Sequence, residues 1–206
     1  MKIAAVIPAY NEEKNIARVL RAVQSSALFS EIIAVDDGST DGTADVIHAE
    51  GVRVIRQENQ GKAGAMATGV RATDADAIFF ADADLIGLGD EHIAAVIQPV
   101  VDGRAGMTVG IRGGGNVPQW MFQHILPVIG GERAIRREHF LKLSAHPAAR
   151  RYGIETVMNV YCKRHDIPVI LVRMRGVSVV RKEQKVGALK GFMQRVRMFW
   201  QIFKTA

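Results

Sequence analysis

The chain has 206 residues, 48% of them hydrophobic and 23% charged, the balance of one globular domain long enough to bury a core. Its lone cysteine, Cys162, excludes a disulfide framework within the chain and fits a reducing compartment. The formal charge of +6 is uneven: residues 173–206 hold nine Lys or Arg against one acid and carry +8, while residues 1–172 carry −2. From the start, Ile3–Ile7 reads as a short strand ended by Pro8, and Ile16, Val19, Leu20 and Val23 follow at helical spacing. Ile32–Val35 is a second strand, and Thr40 or Asp41 is placed to cap a helix through Val46 and Ile47. Val52–Ile55 is a third strand, Ala63–Ala72 a helix of small residues and Ala77–Ala81 a fourth strand. A helix around Ile93–Val101 and a strand at Met107–Ile111 follow. This alternation predicts an α/β fold with an open, mostly parallel sheet and helices on both faces. Beyond residue 112 the pattern loosens: helices near Trp120–Ile129 and Glu155–Lys163, strands at Val169–Val172 and Val177–Val180, and an amphipathic helix at Gly187–Lys204.

Neither end of the composition points to a membrane span. The longest uncharged run, Gly113 to Gly131, contains five glycines and two prolines. The apolar start is interrupted by Pro8, Tyr10, Asn11 and Glu12, unlike a secretory signal.

The most telling residues are Asp82-Ala83-Asp84, directly after the apolar fourth strand. Two carboxylates one residue apart repel each other and resist desolvation unless a cation joins them. Mg²⁺ or Mn²⁺ suits that place, because such ions bind one or two carboxylates together with substrate phosphates. A solvated acidic turn is the plain alternative. Open parallel sheets, however, bind ligands at the carboxyl ends of their strands. Three more polar clusters fall on the same rim: Pro8-Ala9-Tyr10-Asn11-Glu12-Glu13, Asp36-Asp37-Gly38-Ser39-Thr40-Asp41 and Asn59-Gln60-Gly61-Lys62. Singly, each could be a turn or a helix start. There is no G-x-G-x-x-G after the first strand and no G-x-x-x-x-G-K-[ST], so neither a dinucleotide fold nor a P-loop is indicated.

Ile7-Pro8-Ala9-Tyr10-Asn11-Glu12-Glu13, Val35-Asp36-Asp37-Gly38-Ser39-Thr40-Asp41 and Asp82-Ala83-Asp84 resemble, in order and spacing, the signatures of family 2 glycosyltransferases with the GT-A fold. The resemblance covers roughly residues 1–112. It implies a nucleotide-diphosphate sugar donor, UDP- or GDP-linked, a divalent cation and inversion at the anomeric carbon. By position it implies that Pro8, Ala9, Tyr10 and Glu12 line the nucleotide pocket and that Asp37, with Asp36, meets the base or ribose. Lys62 would face the diphosphate, Asp82 and Ala83 the ribose or metal, and Asp84 would be the principal metal ligand. Lys62 or Arg112 could also offset charge on the leaving diphosphate. Glu155, in Tyr152-Gly153-Ile154-Glu155-Thr156, resembles the acidic residue that opens the acceptor-side helix and is the candidate general base. As an alternative it is a helix-start glutamate favoured by the dipole.

Gly130-Gly131-Glu132-Arg133-Ala134-Ile135-Arg136-Arg137 resembles acceptor-side segments of phosphoglycerate-type and polyprenyl-phosphate-type sugar transferases. In it the paired glycines, Gly130 and Gly131, would let the backbone approach the sugar, Gly131 and Glu132 would belong to the acceptor side, and Arg133, Arg136 and Arg137 would recognise an acceptor phosphate. Otherwise these arginines form a solvated face. Many relatives carry a metal-binding histidine after the last strand. Here Val177-Ser178-Val179-Val180-Arg181-Lys182 has none, and Arg181 is a candidate substitute charge. In Gly187–Lys204, Leu189, Phe192, Met193, Val196, Phe199, Trp200 and Phe203 share one helical face amid basic residues. That predicts peripheral contact with an anionic membrane on its cytoplasmic side, or else packing onto the domain. The expectation is therefore a domain over 1–186, divided at residue 112 into nucleotide-sugar and acceptor halves, plus a basic tail helix at 187–206. The expected acceptor is a polyprenyl phosphate or other lipid, with a soluble phosphorylated acceptor such as a phosphoglycerate as the alternative. A non-catalytic nucleotide-sugar-binding protein is the alternative of another class. Nucleic acid is not an expected partner, because the acidic rim would repel its phosphates.

Overall fold

The computed structural model describes residues 1–112, 130–145, 149 and 153–180. The expected helices at Trp120–Ile129 and Gly187–Lys204, together with Arg181, lie outside the described residues. The first part alternates β1 (Ile3–Ala9), α1 (Ile16–Gln24), β2 (Glu31–Asp36), α2 (Thr43–Ala49), β3 (Arg53–Arg56), α3 (Gly61–Arg71) and β4 (Ala77–Phe80). The chain continues through β5 (Leu85–Ile86), α4 (Asp90–Val101), β6 (Met107–Arg112), β7 (Arg133–Arg136) and α5 (Arg137–Ser144). It then forms α6 (Ile154–Arg164), β8 (Val169–Met174) and β9 (Ser178–Val179).

Seven strands make one sheet in the order β3-β2-β1-β4-β7-β6-β8. Every pairing is parallel except those of β7, which runs antiparallel to both β4 and β6. The central strand β1 is apolar on both faces, as a parallel strand covered on both sides must be. Ile3, Ala5 and Ile7 pack toward α1 and α4, whereas Ala4 and Val6 pack toward α3, α5 and α6. Helix α1 turns Ile16, Val19, Leu20 and Val23 to the sheet at the expected spacing. Helix α3 lies close because Gly69 has no side chain: a Cβ there would sit 2.4 Å from Val6 Cγ1. That close approach brings the start of α3, with Lys62, over the carboxyl rim of the sheet.

The structure departs from the sequence expectation in four places. Arg133–Arg136, where no strand was expected, is a sheet strand, and α5 follows it at once. The reason is local: Ala134 and Ile135 are small and apolar enough to fill the gap between β4 and β6, and both are buried. Helix α3 starts at Gly61, two residues before the expected Ala63. The Asp41 carboxylate accepts the Thr43 backbone N–H at 3.0 Å, but the residue at the start of α2 is Gly42. The strand expected at Val177–Val180 is β9, which pairs with β5 immediately after the acidic pair. One more bond, from the Val180 N–H to the Asp84 carbonyl at 3.1 Å, pins that junction.

Candidate active site

The first two signature loops lock into each other before they form any wall. Asn11 adopts the left-handed conformation at φ 54°, which asparagine tolerates better than most residues. Its N–H donates to Ser39 Oγ and its side-chain carbonyl accepts from Thr40 N, both at 2.9 Å. The Glu12 N–H donates to Thr43 Oγ1 at 2.8 Å, and the Glu13 carboxylate accepts from Gly42 N at 2.9 Å. Asp37 Oδ1 takes the Gln57 side-chain amide at 2.7 Å and the Gln60 N–H at 2.9 Å, which ties in the third loop.

These loops wall a cavity of about 330 Å³ lined by Pro8, Ala9, Tyr10, Glu12, Asp37, Lys62, Ala65, Asp82, Ala83 and Asp84. Ala65 is the one lining residue outside the sequence expectation; it sits one turn after Lys62 on α3 and gave no chemical signal. Asp36 is not on the wall. Its buried carboxylate accepts the Ser39 N–H at 3.0 Å and meets Arg56 Nε at 3.2 Å, so it shapes the loop from beneath.

A line of alternating charge runs through Lys62 and Asp82 on the cavity wall to Glu155, Arg112 and Glu132, which are not among its lining residues. Lys62 Nζ meets Asp82 Oδ1 at 2.7 Å and Glu155 Oε1 at 2.6 Å. Arg112 Nη1 lies 3.3 Å from Asp82 Oδ2 and 3.1 Å from Glu132 Oε1. Five different parts of the fold thus supply Glu132, Arg112, Asp82, Lys62 and Glu155 in sequence. Burial opposes the Lys62 ammonium, but Asp82 and Glu155 together outweigh it and raise its pKa well above the ordinary range. Burial likewise works against the Asp82 and Glu155 carboxylates, and their cationic neighbours, Lys62 foremost, hold both below the usual range. Glu132 goes the other way: burial lifts it to about 7 against the pull of Arg112, with Asp82 adding repulsion.

The acceptor-side segment is where sequence and structure part. Gly131 packs on Asp82, not on open space: a Cβ would fall 2.3 Å from Asp82 Oδ2. Glu132 is fully buried, with Oε1 on Arg112 and Oε2 buried without a hydrogen-bond partner. Arg133 is fully buried as well, and therefore cannot meet a ligand in the cavity. Its Nη1 donates to Asn159 Oδ1 at 2.7 Å and its Nε to the Gly130 carbonyl at 3.1 Å. Arg136 pairs with Ala77, at the start of β4, whereas Arg133 pairs with Phe80 at its end. Because β7 is antiparallel, Arg136 stands at the rim opposite the cavity. Asn159 was invisible to sequence reasoning; an asparagine within a helix carries no motif.

Among the described residues, no group of three or more His, Cys, Asp or Glu side chains gathers as a metal cage. Asp84 and Asp82 on the cavity wall still suit a hard cation that draws its remaining oxygens from a diphosphate and water. Asp82 has both oxygens engaged, by Lys62 and Arg112.

The fold and these loops are those of a nucleotide-sugar transferase class. The family model for Glycosyl transferase family 2 matches residues 4–157, and the chain belongs to that family. It is 28% identical over 191 residues to glucosyl-3-phosphoglycerate synthase of Mycolicibacterium paratuberculosis, a match covering 74% of this chain and 57% of that protein. It is 32% identical over 146 residues to the uncharacterized glycosyltransferase YaiP of Escherichia coli, covering 66% of this chain and 37% of that protein. The chain thus spans about a third to three-fifths of the length of these curated relatives. Among solved structures, glucosyl-3-phosphoglycerate synthase of Mycobacterium tuberculosis with Mn²⁺, UDP and phosphoglyceric acid superimposes with a TM-score of 0.77 at 26% identity. That match covers 95% of this chain and 75% of the other. The same enzyme with Mn²⁺, UDP-glucose and phosphoglyceric acid gives 0.74 at 26% identity, covering 88% of this chain and 72% of the other.

Proposed function

We propose that this chain transfers a sugar, glucose foremost, from a UDP-linked donor to a small phosphorylated acceptor of the phosphoglycerate class, with Mg²⁺ or Mn²⁺ as cofactor. The observation that carries the reading is the cavity that brings Asp82, Asp84 and Lys62 together, with Glu155 held on Lys62 at 2.6 Å. The mycobacterial structures that hold Mn²⁺, UDP-glucose and phosphoglyceric acid support both the donor and the acceptor class. The lipid-phosphate acceptor and the membrane contact expected from the sequence rest on segments outside the described residues. No helix among the described residues is long and apolar enough to cross a membrane.

In this reading Pro8, Ala9, Tyr10 and Asp37 hold the nucleoside, and Asp84 holds the cation. A divalent cation held there would supply positive charge to offset that of a leaving diphosphate. Lys62 is the protein's own contribution to that task, and its raised pKa keeps it charged throughout the working pH range. Glu155 lies ready to take a proton from the acceptor hydroxyl, yet contact with Lys62 makes it a weak base before substrate binds. The donor diphosphate competes for the Lys62 ammonium. As that contact loosens, Glu155 regains basicity beside the acceptor.

The test is calorimetric titration with UDP and GDP, with and without Mn²⁺, followed by mass spectrometry of mixtures of UDP-glucose with 3-phosphoglycerate or with polyprenyl phosphate. Mn²⁺-dependent UDP binding and a glucosylated phosphoglycerate are expected. Glucosylated lipid with no reaction of the soluble acceptor would overturn the acceptor assignment. Absence of nucleotide binding by the folded protein would overturn the donor site.

A further inference from the structure

Arg133 is the largest fully buried side chain described, and its position has a use that the reaction scheme leaves open. A buried guanidinium is costly to desolvate, and burial lowers its pKa to about 10. Two of its hydrogen bonds reach separate parts of the site. One goes to the Gly130 carbonyl, beside the Gly131 backbone that packs on Asp82. The other goes to Asn159 on α6. Asn159 lies four residues after Glu155, one turn along the same helical face. Rotation or sliding of α6 that broke the Arg133–Asn159 contact would carry Glu155 off Lys62.

We propose that Arg133 is a positioning residue for Glu155, acting through Asn159 as a strut between the Gly130–Gly131 turn and α6. The strut sets the acceptor-side carboxylate relative to Asp82 without touching any ligand. This rests on the acceptor-side role given to Glu155 above. Arg133 itself belongs to the core and its truncation risks the fold, so Asn159 is the better lever.

The experiment is an NMR titration of the Glu155 carboxyl carbon in the wild type and Asn159→Ala. Loss of the strut should release Glu155 from Lys62 and raise its midpoint by roughly half a unit or more in Asn159→Ala. Asn159→Asp keeps the oxygen that accepts from Arg133 Nη1 but adds a like charge one turn from Glu155, so its rescue is read in kcat, which should recover most of the loss seen in Asn159→Ala. An unchanged midpoint in a folded Asn159→Ala overturns the strut. Turnover gives the second arm: Asn159→Ala should lower kcat roughly tenfold with UDP affinity unchanged, as for a displaced catalytic group. Added to Glu155→Gln, it should cost less than a further twofold. A multiplicative loss in the double variant means that Asn159 does not act through Glu155, and the proposal falls. Failure of the glycosyltransferase reading would look different: the wild type would neither bind UDP nor turn over, while the titration would still report on the strut.

Discussion

The proposed donor and acceptor sides of the site are built by opposite rules. On the donor side, parallel strands β1, β2 and β4 all end at one rim, so the loops after them converge on it. On the acceptor side, β7 runs the other way, and its two charged residues divide between the interior, Arg133, and the far end of the sheet, Arg136. A cluster of charges in sequence therefore means a site only where strand direction delivers it to one. The two sides meet at Asp82, which is gripped by Lys62 from one and by Arg112 and Gly131 from the other.

The largest expected effect lies wholly on the donor side. Asp84→Ala removes the proposed cation ligand and should lower kcat by about 10²–10³-fold, comparable to deleting a strong electrostatic stabiliser. Calorimetry should find that Mn²⁺ no longer improves UDP binding. Undiminished Mn²⁺ dependence would move the cation elsewhere and dissolve the asymmetry between the two sides. Next comes the junction. Gly131→Ala would place a Cβ 2.3 Å from Asp82 Oδ2, so either the carboxylate or the β7 turn must move. Such overpacking costs about 1–3 kcal/mol. Urea unfolding and UDP affinity should both suffer, and a variant as stable and tight as the wild type would mean that the two sides are not in contact there.

A smaller effect tests the interior of the acceptor side. Glu132 has an ordinary pKa of 4.5 and is lifted by burial to about 7. Between those values the folded chain keeps a proton that the unfolded chain has lost. Its contribution to stability is therefore present below about 4.5 and is lost as pH rises through about 7. Glu132→Gln should flatten the decline in urea midpoint between pH 5 and pH 8. An equal decline in the variant would assign the slope to other groups. The neighbouring Asp82 and Glu155, held low by Lys62, lose their contribution only at acid pH and cannot mimic it.

Sequence legibility follows the same divide. Most of the donor wall was readable because strand, turn and polar cluster are contiguous, as in Ala77–Asp84. Asp36 was the exception: adjacent to Asp37, it points under the loop, and no pattern distinguishes the two. The Lys62–Glu155 contact joins residues 93 positions apart, so only the packing of α3 and α6 on one face reveals it. Arg133 misled for a physical reason. Arginine is expected outside, and its burial here depends on Asn159, Gly130 and Met107 meeting its donors from three elements.

The smallest expected effect is the sharpest on strand direction. Arg133 and Arg136 are three residues apart in one short strand, so they stand about 10 Å apart near its opposite ends. The antiparallel register pairs Arg136 with Ala77 at the opposite end of β4 and bonds its N–H to the Gly106 carbonyl. The Arg136 side chain is half-buried there and reaches toward Gly103. Arg136→Ala should then leave kcat and the acceptor KM within about twofold, with a stability change near the 0.5 kcal/mol typical of surface substitutions. A rise of tenfold or more in acceptor KM with UDP affinity intact would mean that the acceptor reaches this strand. It would also erase the division between the two sides, because the acceptor would then bind at the rim opposite the donor cavity.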